Sequence, residues 1–366
     1  MHGCAPIFPP IRRSPIPPQA SWRSHGACRR RPKSRGEGPV TLDPDTLAES
    51  LRAHPSIRGK LAIGRATGAL GLSMRDAATA GDDAAALPNA AGGWDLLAGE
   101  GFIPSFVEDD PWFAGWCGVM VNLSDIAAMG GRAVALVDQV FAPSPEKAAP
   151  LLAGLRAAAE AYGVPIVGGH TNFAAPDLGL AVTVLGRTRA LLTSFDARPG
   201  DVLMIAVDMR GTYRNFDNFC AAIDVAPERL RGDLALVSDL AERRFFRAGK
   251  DISQGGIAGT ALMLAEASGV GIALDLDRVL TPFPPGQIPL ERWMRTFPSF
   301  GFLFAMKPDK VLRAAEMFQE RGIYAGLIGE VERSSTVTFH SGGRSAVFWD
   351  WRETPYLRPA PAPERP

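Results

Sequence analysis

Residues 116–131, WCGVMVNLSDIAAMGG, constrain the fold more than any other stretch of the chain. The apolar residues Val119, Met120, Val121, Leu123, Ile126, Ala127, Ala128 and Met129 cover nearly every face of a helix, so the stretch reads as a buried core helix. Two polar residues interrupt it. Asn122 and Asp125 are three apart and share one helix face, and an unpartnered buried carboxylate costs several kcal/mol. A cation, a backbone amide or a metal would offset that cost; so would hydrogen bonds from Asn122 and Asp125 to nearby backbone. Gly130 and Gly131 stop the helix where a ligand or another chain could approach.

A chain of 366 residues is long for one core, so two domains are expected. Lys plus Arg and Asp plus Glu both total 39, so overall charge argues for neither nucleic acid nor an anionic membrane, and small-molecule chemistry is favoured. Cys4, Cys28, Cys117 and Cys220 lack CxxC spacing, which disfavours a zinc site and a disulfide framework and suits a reducing cytoplasm. No run of about 18 apolar residues predicts a membrane span. Residues 1–40 are rich in Pro and Arg, with Glu37 the sole acid, and read as a disordered arm or a misplaced translation start without the apolar centre of a secretory signal. Residues 351–366 read as a Pro-rich tail.

In chain order, residues 47–57 and 60–70 form a short helical lead-in, in which Lys60 reads as solvated. GDDAAALP (residues 81–88) places Asp82 and Asp83 side by side in an extended segment, pointing different ways, so one can bind metal while the other binds backbone or a second metal. An Asx-turn would explain the pair equally well. WDLLAGEG (residues 94–101) is a buried strand running into Glu100. A strand over 133–141 follows, then a helix over 145–162 with Ser144 as N-cap and Gly163 as its stop. Strands over 164–172 and 178–186 come next, the first ending in Gly168, Gly169, His170 and Thr171. This order predicts an α+β layer instead of a doubly wound sheet. ARPGD (residues 197–201) is turn chemistry and marks the domain boundary. Beyond it lie a strand over 202–208, a helix over 233–246, and DISQGG (residues 251–256). There Gly255 and Gly256 open a helix whose free N–H groups can hold a phosphate, without the Gly-Lys-Ser/Thr of a Walker loop. Strands over 300–306 and 325–331, with a helix over 309–320 between them, complete one sheet.

GDDAA, NLSDIAAMGG, VGGHT, ARPGD, DISQGG and SGVG, in that order, resemble the superfamily that contains AIR synthase, thiamine monophosphate kinase, selenophosphate synthetase and the hydrogenase-maturation dehydratase. The resemblance covers roughly residues 47–331. It implies an AIR synthase-like two-domain α+β fold. An N-terminal domain over 41–195 would pair with its twin in a homodimer, an α/β domain would span 196–350, and Mg-ATP would bind between them. It also implies metal ligands at Asp82 or Asp83, Glu100, Asp125 and Asp251, and nucleotide contacts at Gly169 and Ser253. Gln254, Gly255 and His170 are cofactor-site candidates alongside these, with His170 placed to bond phosphate or substrate as the catalytic candidate.

Departures from the family's patterns narrow the choice of activity. FPSFGFLF (residues 297–304) replaces the GGEDYE element of thiamine monophosphate kinases, Ala98-Gly99-Glu100 replaces their Thr-Thr-Asp, and Gln254 stands where an acid is usual. His170 matches selenophosphate synthetases, yet no Cys accompanies Lys60. The expected activity is ATP- and Mg-dependent phosphoryl transfer to a small anionic metabolite, kinase-like. A cyclo-ligase of AIR synthase type and a nucleotide-binding protein without turnover are the alternatives. Tyr213 and Arg214 could meet the substrate's anion, or belong to a solvated loop.

Overall fold

The computed structural model describes residues 43–72, 81–214, 216–279, 282 and 288–358. The Pro/Arg-rich arm over 1–40 and the last residues of the tail, 359–366, lie outside them.

The first half builds a five-stranded sheet from β1 (Ala85–Pro88), β2 (Trp94–Gly101), β3 (Arg132–Phe141), β4 (Ile166–Asn172) and β5 (Gly179–Thr188), in the order β1-β2-β5-β3-β4. β3 and β4 are parallel because the helix Pro145–Tyr162 crosses between them; the other neighbours are antiparallel, with β1 and β2 consecutive in sequence. That helix begins and ends as its sequence predicts. The Ser144 side chain accepts from the Lys147 N–H at 3.4 Å, and Gly163 is left-handed at φ 71°.

The predicted core helix is Pro111–Ala128, capped by Asp110 and buried on nearly all sides. Its Val119, Met120, Leu123 and Ile126 pack on Leu96, Ala98, Leu136, Val140, Val182 and Val184 of the sheet. Contact with the helix Pro145–Tyr162 runs through glycine. A Cβ on Gly154 would lie 1.9 Å from the Trp112 carbonyl oxygen, and one on Gly115 would lie 2.1 Å from that of Leu151. The opposite face of the sheet presents Leu87, Leu97, Val137, Phe141 and Leu185 by strand alternation, with Leu97 still 46% exposed.

The second half contributes β6 (Val202–Val207), β7 (Thr212–Tyr213), β8 (Asn218–Cys220), β9 (Ala248–Asp251), β10 (Gly271–Asp275), β11 (Phe297–Pro298), β12 (Gly301–Met306), β13 (Tyr324–Glu332), β14 (Thr336–Ser341) and β15 (Arg344–Asp350). Seven of them form a sheet in the order β15-β14-β10-β13-β6-β12-β9, and β11-β8-β7 form a small separate one. β6 and β12 are buried along their whole length because helices cover both faces. One face meets the helix Gly256–Ser268, and the other meets Pro227–Glu242 and Val311–Gln319.

Three expectations change. The lead-in, read as part of the N-terminal domain, packs on the seven-stranded sheet: Leu47, Ala48, Leu51 and Ile57 join its core. Trp351, Tyr356 and Leu357, read as the start of a solvated tail, are buried in that same core, with the Tyr356 and Leu357 N–H groups held by Glu266 at 2.9 and 2.7 Å. The helix expected over 233–246 is Pro227–Glu242, its charged first turns held by Arg229 and Arg321 pairing with Asp208 and Asp233. Among the described residues no helix is long and apolar enough to cross a membrane.

Because the two helices touch backbone to backbone at Gly154, Gly154→Ala is expected to destabilise the fold by about 1–3 kcal/mol through overpacking. Urea unfolding checks this, and a change within about 0.5 kcal/mol would contradict the close contact.

Candidate functional site

The two halves meet where the end of the central helix reaches β9. Ala127 and Ala128 leave the first core and enter that of the second sheet, beside Leu192 and Phe304. Gly249 makes this approach feasible, since a Cβ there would lie 2.7 Å from the Leu192 side chain and 3.2 Å from the Ala128 carbonyl oxygen. The Gly249 N–H in turn donates to the Thr193 carbonyl at 3.1 Å. The Gly130 and Gly131 stop is likewise approached by the chain itself, with Thr188 and Ser238 hydroxyls donating to the two glycine carbonyls at 2.9 and 2.6 Å.

This junction brings three carboxylates from distant segments together. One oxygen each from Asp83, Asp125 and Asp251 lies within 4.8 Å of the others. Asp83 precedes β1, Asp125 sits one turn from the end of the central helix, and Asp251 ends β9. Asn122 makes one internal hydrogen bond, its amide donating to the Gly118 carbonyl of its own helix at 2.8 Å, while its Oδ1 is buried without a partner among the described residues. Asp125 Oδ2 is likewise buried without a hydrogen-bond partner among the described residues. Burial, followed by the neighbouring charge of Asp251, raises the Asp125 pKa well above the usual carboxylate range. Asp251 is raised likewise, by burial and then by Asp83.

Two lysines enter the cluster. Lys250, with a side chain 5% exposed, is ion-paired through Nζ with Asp83 Oδ1, while the Asp251 N–H donates to Asp83 Oδ2 at 3.2 Å. Burial opposes the charge on Lys250, but Asp83, Asp82 and Asp251 outweigh it and hold the amine above the ordinary lysine value. Lys60, read as solvated, is instead half-buried beside the cluster; its Nζ donates to Ser253 Oγ at 3.2 Å and reaches Met263 Sδ at 3.5 Å. Burial and then Lys250 lower its pKa, against the pull of Asp251, Glu100 and Asp83. The segment after Trp351 holds the Lys60 lead-in in place. Tyr356 Oη donates to the Ile57 carbonyl at 2.9 Å, and a Cβ on Gly64 would collide with the Arg358 carbonyl oxygen at 2.5 Å.

The remaining candidates fall into three groups. Asp82 turns away from the trio and accepts from the Ser194 N–H at 3.1 Å and from its hydroxyl, so it organises the loop and is no ligand here. Burial and then Asp83 raise its pKa to about 6. Glu100 stands at the exposed rim, where lost hydration raises its pKa, Lys60 lowers it and Asp83 raises it again. Ser253 joins the site through Lys60, while Gln254 is exposed, and Gly255, left-handed at φ 99°, caps the helix Gly256–Ser268 close to Asp251.

Gly169 and His170 are not brought to the trio. Glu100, Val182, Asp138 and Gly169 stand in one cross-strand row, so three strand spacings, about 14 Å, separate Gly169 from Glu100. Gly169 is small because a Cβ there would lie 2.4 Å from the Asp138 carbonyl oxygen. His170 is exposed on the edge strand. Arg214 is held by Asp110 at 2.8 Å and stacks over Phe113, so it is committed to the cap of the central helix, and Tyr213 Oη bonds Thr296 at 2.6 Å.

Fold and site together define a two-domain α+β protein with a buried acidic cluster at the domain junction. Residues 81–188 match the AIR synthase related protein N-terminal domain and residues 215–341 its C-terminal domain, and the chain belongs to this family. A Synechocystis sp. protein named only as uncharacterized is 43% identical over 75% of this chain and 85% of its own length. The selenide, water dikinase of Myxococcus xanthus is 27% identical over 69% of this chain and 83% of its own length. Among solved structures, T. maritima PurL complexed with ATP shares the fold at TM-score 0.61 and 19% identity, covering 72% of this chain; this chain spans 44% of that one.

Asp125 supplies a stability test. A folded-state pKa above the unfolded value means that the folded protein holds a proton the unfolded chain has released, so stability falls as pH rises above about 4 through the raised pKa. Asp125→Asn removes that loss. In chelator-treated protein it is expected to raise stability by about 1–3 kcal/mol at pH 8, with the gain shrinking toward pH 4. Denaturant unfolding across this range checks it, and a destabilised variant at pH 8 would contradict the burial of an uncompensated charge.

Proposed function

We propose that the chain is an ATP- and Mg-dependent phosphotransferase acting on a small anionic metabolite. The observation that carries this reading is the trio of Asp83, Asp125 and Asp251, with Asp125 Oδ2 buried and unpartnered. An all-oxygen, all-carboxylate donor set fits a hard divalent cation, and magnesium is the one that accompanies a triphosphate. Asp83, Asp125 and Asp251 would hold the magnesium, whose charge would offset that on the transferring phosphoryl group. The kinase named among the relatives and the ATP complex among the structural neighbours support the same direction.

The chain's own residues then have distinct tasks. Asp83, Asp125 and Asp251 hold the cation, and Glu100 at the rim is a further oxygen donor within the same electrostatic cluster. The helix Gly256–Ser268 begins close to Asp251, so the positive end of its dipole would favour a phosphate's charge beside the site. Among the described residues the Lys60 amine bonds neutral atoms, Ser253 Oγ and Met263 Sδ, so it could turn to an incoming phosphoryl oxygen without breaking an ion pair to any of them. Positioning and charge neutralisation carry such a reaction, which explains a site of carboxylates, amines and glycines without a nucleophile.

The uncovered sheet face supports a homodimer through the N-terminal domain. Leu87, Leu97 and Phe141 remain 46%, 46% and 39% exposed on it, an apolar area that a twin sheet would bury.

Asp125→Asn is expected to keep the fold and weaken Mg-ATP binding at least tenfold by calorimetry, whereas unchanged affinity would remove the metal assignment. With a panel of phosphometabolites, wild type is expected to form ADP and a phosphorylated product together. Binding without ADP from any acceptor would leave a nucleotide-binding protein without turnover. In sedimentation at micromolar concentration the protein is expected to be a dimer and Leu97→Arg a monomer; a monomeric wild type would contradict the interface.

A further inference from the structure

Lys250 is unusual in where its charge sits. Its side chain is 5% exposed and that of its partner Asp83 is 4% exposed, so both ions are taken out of water in the middle of the acidic cluster. Asp83 is committed at both oxygens, to Lys250 Nζ and to the Asp251 N–H. The charges of the cluster are then Asp83, Asp125 and Asp251 against Lys250, a net of two negatives from these four groups. At the rim Glu100 and Lys60 offset one another, and Asp82 is turned to Ser194. Two negatives balance one divalent cation. A second cation in the same space would face both the first and a fixed ammonium group, with little water to screen them.

We propose that Lys250 stands in for a second divalent cation, so that the nucleotide-free site takes one ion only. This rests on the reading of the trio as a divalent-cation site. The one ion is held through Asp125 and Asp251 with the oxygen of Asp83 that faces them, and Lys250 fixes Asp83 in place. Further cations would enter only with the charge that a triphosphate brings.

The test counts Mn2+ bound to the full-length protein without nucleotide, by the loss of the free-ion paramagnetic resonance signal. Wild type is expected to bind one ion per chain and Lys250→Arg, which keeps the charge, also one; Lys250→Met is expected to bind two. Two ions on the wild type would overturn the proposal whether or not the methionine variant folds. A folded Lys250→Met that binds one ion as the wild type does would overturn it as well. If neither wild type nor Asp125→Asn binds Mn2+, the divalent-cation reading itself fails; if wild type binds and Asp125→Asn does not, that reading stands and the count alone decides the role of Lys250.

Discussion

The structure depends on one close approach, the end of the central helix against β9. Glycine at position 249 lets the Ala128 carbonyl come near the strand, and that contact places Asp125 beside Asp251. Burial and then the charge of Asp251 raise the Asp125 pKa, burial and then the charge of Asp83 raise that of Asp251, and Lys250 opposes both shifts only in part. A fold does not keep such a cluster for stability, since buried charges of one sign oppose folding unless something binds them. On the proposed reading a cation would relieve this arrangement, and the backbone contacts around it hold the carboxylates together.

Around that contact the two halves play different parts. The five-stranded sheet and its two helices position Asp83, Asp125 and Glu100, and among the described residues one sheet face keeps Leu87, Leu97 and Phe141 exposed. The seven-stranded sheet positions Lys250 and Asp251, and it also holds the lead-in with Lys60. That lead-in belongs with the second sheet through apolar residues and through Tyr356, which joins residues 299 positions apart at Ile57. Both the lead-in and the strap after Trp351 lie beyond the two matched family segments.

Much of this was legible in the sequence because it is local. The core helix, the Ser144 cap, the Gly163 stop and the alternating strands follow from spacing and turn chemistry, and Asp125 marked itself as a charge among apolar residues. Pairing across distance was not legible. Lys60 looked solvated because the groups that meet its amine, Ser253 and Met263, lie far from it in sequence; the strap after Trp351, whose end is dominated by prolines and so resembles a tail, holds the lead-in that carries it. Adjacent Asp82 and Asp83 could not be told apart until Ser194 claimed one of them. The hairpin of β14 and β15 was not among the predicted strands, although it carries a signal, an alternating pattern around Gly342 and Gly343 at φ 56° and 80°. Gly169 and His170 came from resemblance, and the sheet order sets them three strands from Glu100.

The central claim is that Asp83, Asp125 and Asp251 form one divalent-cation site. Crystals of the full chain grown with Mn2+ and a non-hydrolysable ATP analogue test it directly by anomalous scattering. A peak between the three carboxylates, about 2.2 Å from an oxygen of each, is the result expected. Density for the nucleotide with no peak among these three residues, or with the ion held elsewhere, would contradict the account.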